Sequence, residues 1–268
     1  MCLKIFLRLK FEELYHRLQF ANHILASTQP VSIWYNRLKI HTFKSRSCKF
    51  LGQIQIIVEG MTASGKSTVV DLLAKRFGFQ VMPEEFRDPL DLLSRFHYDH
   101  KKWAFPMQLN FLVTRFAQYL CASEENNYIL DRSVFGDKVY AMLYYKDRYF
   151  RDSQLGCYLT LYDSLLHYVA KPRLFVIVRC EFDEIMRRIH ERGRQDEIDA
   201  GESYWRNLYD AYMPFLDFLK SELPGDIDFI ELNLSDPKFI TTPSMVDEFL
   251  GHVAEYFPER RIIPADEC

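Results

Sequence analysis

Between Gly60 and Ser67 the sequence reads G-x-x-x-x-G-K-S, directly after an apolar run. Glycines at these two positions let the backbone turn tightly and bring its N–H groups close to phosphate oxygens. Lys66 supplies a positive charge for β- and γ-phosphates, and the Ser67 hydroxyl can bind Mg²⁺. A glycine-containing turn that matches by chance is the alternative, but the apolar run before it and the amphipathic helix after it favour a phosphate site. The predicted phosphate-binding residues are Gly60, Met61, Thr62, Ala63, Ser64, Gly65, Lys66, Ser67 and Thr68.

Charged residues also follow the next two predicted strands. Glu84 comes after the second strand, and Asp131 and Arg132 come directly after the third. Ligands of open α/β sheets bind beyond the carboxyl ends of the strands, so these side chains should converge on the phosphate site. Phosphoryl transfer depends mainly on positioning and charge neutralisation, and a base, a magnesium ligand and arginines meet that requirement.

An arginine-rich segment follows the fourth predicted strand. Arg188 and Arg192 are four residues apart and therefore share one face of a helix, and Gly193 breaks that helix just before Arg194. A solvated charged helix is the ordinary interpretation. The break directly after a concentration of positive charge instead favours a mobile lid, with these three arginines closing over phosphates.

Two polar residues interrupt an otherwise apolar helix. Gln108 and Arg115 are seven residues apart, which places them two turns apart on one face. Burying such groups is costly unless a partner satisfies their hydrogen bonds. A nucleobase, with fixed donors and acceptors, is one such partner. The alternative is a buried polar pair that the protein backbone satisfies.

Strands and helices alternate from residue 52 onward, and these elements must position the candidate residues. Short apolar runs predict strands at 54–58, 79–82, 127–130, 173–178 and 227–232. Apolar strands separated by helices indicate a parallel sheet covered on both faces. The predicted fold class is therefore α/β, with three layers, a five-stranded parallel sheet and an arginine-rich lid. In the long helix at 103–123 the expected core stripe is Phe105, Leu109, Leu112, Phe116 and Leu120.

The amino-acid composition restricts the classes to which the protein can belong. A chain of 268 residues with 48% hydrophobic residues can form one full-size core, or one domain with an appendage. The net charge of −3 argues against binding to a nucleic acid polymer, and no apolar run is long enough to span a membrane. Six scattered cysteines without metal-site spacing predict reduced, mostly buried thiols in a reducing compartment.

Residues 1–50 differ from the rest of the chain in charge, since they carry +7 and the remainder carries −10. Leucine, phenylalanine and alanine side chains at helical spacing also form an amphipathic stripe from Leu7 to Leu25. A helix that docks on the domain or a partner, an organelle-targeting presequence and an extension without a structural role are the three interpretations. We predict an N-terminal extension at 1–51, a main domain at 52–258 and a C-terminal tail at 259–268.

Taken together, the motifs resemble the deoxynucleoside kinase family over about residues 52–222. The resemblance is carried by Glu59-Gly60, Gly65-Lys66-Ser67-Thr68, Glu84, Trp103-Ala104-Phe105-Pro106-Met107-Gln108, Arg115, Asp131-Arg132-Ser133, Asp137 and Arg192-Gly193-Arg194-Gln195-Asp196-Glu197. The Asp-Arg-Ser form and the Phe111-Leu112…Arg115-Phe116 run are closest in pattern to the bacterial deoxyadenosine/deoxyguanosine kinases. This resemblance implies a P-loop nucleoside/nucleotide kinase-like fold and a kinase domain at 52–258. It also implies ATP- and Mg²⁺-dependent phosphorylation of the 5′-hydroxyl of deoxyadenosine or deoxyguanosine, with deoxycytidine as a further candidate, in nucleotide salvage.

The resemblance further implies roles at the phosphate end of the site. Glu84 would be the general base that accepts the proton of the sugar 5′-hydroxyl, with Glu85 as the fallback candidate. Arg132 would bind phosphate near the transferring group. Asp131, together with Ser67, would help to hold Mg²⁺.

Other roles follow at the nucleoside end. Gln108 would pair with the nucleobase edge, with Arg115 and Asp137 beside it. Glu197 would contact the sugar 3′-hydroxyl, and His97 or Tyr98 falls where the family has a sugar-contacting tyrosine. An Arg–Asp pair would also fill the space of a thymine methyl group, which argues against thymidine as the acceptor.

Two alternatives stay open at this point. A nucleoside monophosphate kinase such as thymidylate kinase shares the loop and the lid, but it would need a basic residue where Glu84 and Glu197 stand. A non-catalytic subunit on a kinase fold belongs to another class, although such relatives tend to lose loop or base residues that are present here. We expect a cytoplasmic homodimer that acts on a small-molecule deoxynucleoside, or a mitochondrial enzyme if residues 1–50 are a presequence.

Overall fold

A five-stranded parallel sheet forms the centre of the molecule. The structure is a computed structural model, and it describes residues 53–83, 88, 90–166, 168–169, 171–222 and 227–267. The strands are β1 (Ile56–Gly60), β2 (Gln80–Met82), β3 (Tyr128–Asp131), β4 (Leu174–Arg179) and β5 (Asp228–Asn233), in the order β2-β3-β1-β4-β5. All neighbours are parallel. The predicted α/β class and five-stranded parallel sheet are confirmed, with every strand within two residues of its expected bounds.

Burial on both faces explains why the central strands β1 and β4 are mainly apolar. β1 is buried at every position, and β4 is buried up to Arg179. Parallel sheets require this pattern because crossover helices cover both of their faces. The register places Val58 of β1 beside Asp131 of β3, and Gly60 beside Val178 of β4. The carboxyl ends of the three central strands therefore meet at one end of the sheet.

Helices cover the two faces of the sheet in separate layers. In chain order they are α1 (Lys66–Phe77), α2 (Leu92–Tyr98), α3 (His100–Glu124), α4 (Asp137–Lys146), α5 (Asp152–Leu166), α6 (Phe182–Arg192), α7 (Gln195–Asp199), α8 (Gly201–Glu222) and α9 (Pro243–Glu255). Short 3₁₀ helices lie at Val134–Gly136 and Ala265–Glu267. Helices α1 and α9 pack on one face, and α3, α4, α5 and α8 pack on the other. None of the described helices is both long and apolar enough to cross a membrane.

Helix α3 buries a different face from the predicted one. Of the expected stripe only Leu112 is buried, and its other four members are half-buried. The buried residues of this helix are Ala104, Met107, Gln108, Leu112, Arg115, Tyr119, Ala122 and Ser123. Apolar residues surround almost the whole helix, so their periodicity did not single out one face. The face that carries Gln108 and Arg115 is the one that packs against α4 and the 3₁₀ turn before it.

Helix α2 begins at Leu92, and Asp88 accepts hydrogen bonds from the backbone N–H groups of Leu92 and Leu93 at 2.7 and 2.9 Å. Two smaller differences from the predictions concern a short helix and the cysteines. The short helix α7 was not predicted, since its polar sequence has no apolar periodicity. Among the described cysteines Cys121 and Cys157 are exposed and only Cys180 is buried, which corrects the expectation of mostly buried thiols.

The segment after α9 packs back onto the domain. Two hydrogen bonds join Ile263 to Arg76: Ile263 N–H donates to the Arg76 carbonyl at 2.8 Å, and the Arg76 side chain donates through Nε to the Ile263 carbonyl at 2.6 Å. Arg260 lies over the ring of Phe79, 4.2 Å from its centroid. This segment therefore closes the α1 side of the sheet and lies away from the strand ends that carry the candidate residues.

Candidate active site

The loop between β1 and α1 is shaped by two glycines. A Cβ on Gly60 would lie 2.6 Å from the carbonyl oxygen of Val178, so no side chain fits there. Gly65 has φ = 102°, and a Cβ on it would lie 2.8 Å from Leu234. Lys66 is buried and donates to the carbonyl of Met61 at 2.9 Å, which closes the loop around its ammonium group. This geometry suits a phosphate cradle at a helix N-terminus.

Ser67 and Asp131 meet beside this loop. The Ser67 hydroxyl donates to Asp131 Oδ2 at 2.5 Å, although 64 residues separate them in the chain. Asp131 Oδ1 is buried without a hydrogen-bond partner among the described residues. Mg²⁺ is usually bound by one or two oxygen side chains together with substrate phosphates. These two oxygen donors therefore fit a magnesium ion that also binds phosphates.

Arg132 occupies a constrained position at the end of β3. Its backbone has φ = 75°, which is uncommon for a residue other than glycine, and its backbone N–H donates to the Val58 carbonyl at 2.9 Å. Nη1 donates to the Tyr140 hydroxyl at 2.8 Å, and Nη2 lies 3.4 Å from the Thr62 hydroxyl. The side chain is 4% exposed and lines the same cavity as the phosphate loop. It therefore presents a buried positive charge next to the loop.

A buried carboxylate, Glu59, lies behind this arginine at the end of β1. One of its oxygens accepts hydrogen bonds from Gly60 N–H at 3.1 Å and from the Tyr212 hydroxyl at 2.5 Å. The other accepts from the backbone N–H of Ser133 at 3.1 Å and from its hydroxyl at 2.5 Å. Glu59 thus joins the start of the phosphate loop, the turn after β3 and helix α8.

The predicted base-contacting residues also meet in the structure. Arg115 forms a buried ion pair with Asp137, and Gln108 Nε2 donates to the Asp137 backbone carbonyl at 3.1 Å. Protein groups therefore satisfy part of this set, as the alternative interpretation of the pair expected. However, Asp137 Oδ2 is buried without a hydrogen-bond partner in the described part of the chain, and all three residues line the cavity.

The three arginines of the predicted lid, Arg188, Arg192 and Arg194, are held in two different ways. Arg188 donates to the loop carbonyl of Ser64 at 2.8 Å and to the Leu234 carbonyl at 2.6 Å, so it braces the loop against the end of β5. Its Nε donates to Glu184, and hydrogen bonds from Arg187 and then Arg188 lower the pKa of Glu184 to about 2. Arg192 and Arg194 instead pair with Glu197, at 2.5 and 3.4 Å. Gly193 ends α6 with φ = 67°, which confirms the predicted break.

One cavity of about 1050 Å³ connects these groups. It is lined by Thr62, Ala63, Gly65, Lys66, Ser67 and Thr68 of the loop, by Asp131 and Arg132, by Gln108, Arg115 and Asp137, and by Arg188, Arg192, Arg194 and Glu197. The remaining loop residues are buried and are not among the lining residues: Gly60, Met61 and Ser64. His97 lines the cavity, whereas Tyr98 is 93% exposed and is not among the lining residues. Glu84 and Glu85 lie outside the described residues, and Pro83, just before them, lines the cavity.

The family follows from a match that covers most of this structure. A model of the deoxynucleoside kinase family matches residues 56–257, from β1 to just beyond α9. The chain belongs to the deoxynucleoside kinase family. It is therefore a phosphotransferase that acts on deoxynucleosides with a nucleotide as the phosphate donor. The predicted family, fold and enzyme class are confirmed, in preference to a nucleoside monophosphate kinase or a non-catalytic subunit.

Several deoxynucleoside kinases are similar to the chain over most of their length. A deoxyadenosine/deoxycytidine kinase of Bacillus subtilis (strain 168) is 25% identical over 74% of this chain and 91% of the relative. A deoxyadenosine kinase of Dictyostelium discoideum is 28% identical over 66% of this chain and 72% of the relative. The solved structure of deoxyadenosine kinase from M. mycoides with bound dCTP has a TM-score of 0.63 and 22% identity, and it covers 75% of this chain and all of that one. This last likeness shows a shared fold.

Sequence reasoning missed the aromatic part of this kinase site. Tyr140, Tyr144, Tyr204 and Trp205 all line the cavity. Burial raises the pKa values of Tyr144 and Tyr204, whose hydroxyls lie 3.4 Å apart, so both remain neutral phenols. Tyrosines in apolar helices look like core residues in a sequence, and only the packing of α4 against α8 brings them to the cavity.

Proposed function

We propose that this kinase transfers the γ-phosphoryl group of ATP to the 5′-hydroxyl of deoxyadenosine or deoxyguanosine, with deoxycytidine as a further acceptor. The observation that carries the proposal is the single cavity that joins the phosphate loop to the cluster of Gln108, Arg115 and Asp137. Relatives named for deoxyadenosine, deoxyguanosine and deoxycytidine support the same substrates.

Base selection depends on the cluster around Asp137. Gln108 offers one acceptor and one donor side by side, which matches the edges of adenine, guanine and cytosine. Asp137 Oδ2 has no partner in the described structure, and an exocyclic amine of a base could supply the missing donor. Thymine has carbonyl groups and no exocyclic amine, so thymidine would bring an acceptor where this carboxylate oxygen needs a donor. Buried polar groups that lose their partners discriminate strongly, on the order of 10⁴-fold.

Phosphate binding rests on the loop, Lys66 and the arginines. Backbone N–H groups of the loop and the ammonium of Lys66 would hold the donor phosphates, and Arg132 would bind the transferring group. Ser67 and Asp131 would hold Mg²⁺. Magnesium, when bound, neutralises charge on the phosphates. The lid arginines Arg192 and Arg194 would have to leave Glu197 in order to reach phosphates, which would release the Glu197 carboxylate for the sugar 3′-hydroxyl.

The proton of the 5′-hydroxyl needs an acceptor. We propose Glu84 for this role, since it follows Pro83, the last described residue after β2, and Pro83 lines the cavity. The register pairs Met82 of β2 with Leu130 of β3, so the carboxyl end of β2 lies beside the start of the Asp131-Arg132 turn. Such a base needs to be within hydrogen-bond reach of the hydroxyl that it deprotonates.

We also propose that the enzyme is a homodimer, which forms through the outer faces of α3 and α5. Between residues 103 and 123 the only charged side chain of α3 is Arg115, which is buried. The exposed residues of that helix include Val113, Ala117 and Cys121, in one line. The line on α5 is Ser153, Cys157, Thr160 and Ser164, and the two helices contact each other. An exposed helix face without charged side chains is typical of an interaction site, and a second copy of this chain would bury it.

The test is a panel of acceptors with ATP and Mg²⁺: deoxyadenosine, deoxyguanosine, deoxycytidine and thymidine. We expect the first two to be phosphorylated efficiently and thymidine at least about 10²-fold more slowly in kcat/KM. The double variant Arg115→Met, Asp137→Ala should admit thymidine and weaken the purine deoxynucleosides, because the buried pair is removed as a unit. Turnover of thymidine by the natural chain at the rate of the purine deoxynucleosides would refute the assignment.

A further inference from the structure

Glu59 is fully buried and does not line the cavity, yet it contacts three segments that do. Its two oxygens accept four hydrogen bonds in total, from Gly60, Ser133 and Tyr212. An ionised carboxylate in the core is costly unless donors and a positive charge compensate it. The four donors are in place, and Arg132 is the buried cation that lies next to Tyr212.

The hydrogen bonds between these groups run in one direction. A carboxylate only accepts, so the single proton of the Tyr212 hydroxyl is committed to Glu59. A guanidinium only donates, so Arg132 Nη1, 3.5 Å from the Tyr212 oxygen, can interact with it only as a donor. Burial, and then the charge of Glu59, raise the pKa of Tyr212 well above its ordinary value, so the phenol keeps its proton. The chain of donors is Arg132 to Tyr212 to Glu59.

The same network fixes the backbone and the ring contacts of Arg132. Ser133, the next residue, is bound to Glu59 through both its N–H and its hydroxyl, which holds the turn in which Arg132 has a positive φ. The guanidinium carbon lies 5.6 Å from the ring of Tyr140 and 6.0 Å from that of Tyr212. A Cβ on Gly136 would lie 3.0 Å from the Tyr212 hydroxyl and 3.1 Å from Glu59, so the space around them is filled.

We propose that Glu59 and Tyr212 are positioning residues for phosphoryl transfer, which hold the guanidinium of Arg132 at the phosphate position. The inference rests on the phosphate-binding role of Arg132 proposed above. Glu59 and Tyr212 contact neither ATP nor the deoxynucleoside in that proposal, so both would act only through Arg132. Because Tyr212 lies on α8, which follows the lid segment, the network also ties the helix after the lid to the first residue of the phosphate loop.

Tyr212→Phe is the variant that tests this inference. It removes one hydroxyl and keeps the ring beside Arg132. Glu59→Gln is less suitable, because each carboxylate oxygen accepts a hydrogen bond from a backbone N–H, which can only donate. The amide NH₂ of glutamine would face one of these two N–H groups in either orientation of the side chain. We expect Tyr212→Phe to lower kcat for deoxyadenosine by about 10- to 100-fold, as loss of an outer orienting group does at other sites. KM for deoxyadenosine should stay unchanged, because the base and sugar contacts remain.

Tyr209→Phe provides the matched control. Tyr209 lies one turn earlier on α8 and packs on Phe182, with ring centroids 5.5 Å apart, and it is not among the residues that line the cavity. Its loss of a hydroxyl should leave kcat unchanged. Ser133→Ala is the second test variant, for use if Tyr212→Phe does not fold. It removes a donor from the other Glu59 oxygen and should lower kcat in the same direction.

Arg132→Lys distinguishes this inference from the proposed function. Lysine keeps the charge and loses the planar fork, so kcat should fall. In the double variant Arg132→Lys, Tyr212→Phe the loss in kcat should be smaller than the product of the two single losses, because Tyr212 acts through Arg132. Two results would overturn this inference but leave the proposed function intact. One is that the fold-losses in kcat of the two single variants multiply fully in the double variant. The other is that Tyr212→Phe and Ser133→Ala both keep the natural kcat while Arg132→Lys is impaired. Natural activity of Arg132→Lys would instead remove the role of Arg132, and failure of the natural chain to phosphorylate deoxyadenosine would remove the proposed function.

Discussion

At the scale of single residues, two buried carboxylates at the site differ in how many of their oxygens accept hydrogen bonds from the protein. Glu59 accepts four hydrogen bonds from the protein. Asp137 is paired with Arg115 through one oxygen, and its other oxygen has no partner among the described residues. A fully satisfied buried carboxylate stabilises one arrangement of its neighbours, whereas one with an unused acceptor is suited to a ligand. This difference separates the positioning role that we propose for Glu59 from the base-reading role that we propose for Asp137.

The proposed base gives a sharp prediction at this scale. Glu84→Gln keeps the size of the side chain but removes the proton acceptor. We expect kcat to fall by about 10²–10⁴-fold, with little change in KM for the nucleoside. Steady-state kinetics with deoxyadenosine at saturating ATP measures both constants.

Glu85→Gln is the matched control for that variant, since it makes the same change one residue further along. It should leave kcat within a small factor of the natural value. If Glu85→Gln were the crippling change, the base would be Glu85. A parallel collapse of nucleoside binding in Glu84→Gln would mean that this side chain positions the substrate instead.

Sequence reasoning was strongest where residue type and spacing both carry information. Lys66, Asp131 and Arg132 were predicted from a loop motif and from the ends of strands, and the structure brings them to one cavity. Tyr212 was not predicted, because a tyrosine in an apolar helix is equally typical of a core. Its role depends on a contact with Glu59, 153 residues away in the chain, that only the fold creates.

At the scale of elements, α3 illustrates what periodicity can and cannot predict. Its type and place in the chain were predicted, with bounds of 103–123 against the observed His100–Glu124, but the predicted buried face was wrong, because apolar residues surround the helix almost completely. One face contains Gln108 and Arg115 and reaches the cavity, and the opposite face has no charge between residues 103 and 123. The predicted stripe therefore lies along one flank of the helix, between the cavity face and the outer face, and only Leu112 of it is buried.

The outer faces of α3 and α5 give a prediction about assembly. Val113, the first residue of the exposed line on α3, is 52% exposed. In Val113→Lys a charge would be buried at the dimer interface, and we expect the dimer Kd to rise at least about 100-fold, which corresponds to roughly 3 kcal/mol. Sedimentation or light scattering over a range of concentrations measures this change.

His252→Lys is the control for assembly, because His252 is an exposed residue of α9 on the opposite face of the sheet. It should leave the oligomeric state unchanged. A natural chain that is monomeric at every concentration, or a Val113→Lys variant that dimerises as tightly as the natural chain, would contradict the proposed interface.

At the scale of the whole molecule, chemistry gathers where the carboxyl ends of the strands meet. The order β2-β3-β1-β4-β5 places the phosphate loop at the centre of the sheet, with Asp131 and Arg132 beside it and Leu234 on the other side. Helices α3 and α4 complete the cavity with Gln108, Arg115 and Asp137. The family match lies inside the predicted kinase domain at 52–258. The extension at 1–51 lies outside the described residues, so its role stays a prediction, as do the exact domain bounds.

The most direct test of the central claim is which acceptor receives the phosphoryl group. The full chain would be incubated with ATP, Mg²⁺ and an equimolar mixture of deoxyadenosine and its 5′-monophosphate, and the products would be identified by mass spectrometry. The site predicts early conversion of deoxyadenosine to the 5′-monophosphate, with ADP formed in equal amount and none without Mg²⁺. Formation of deoxyadenosine diphosphate while deoxyadenosine remains unchanged would contradict it, because the acceptor would then be a nucleotide.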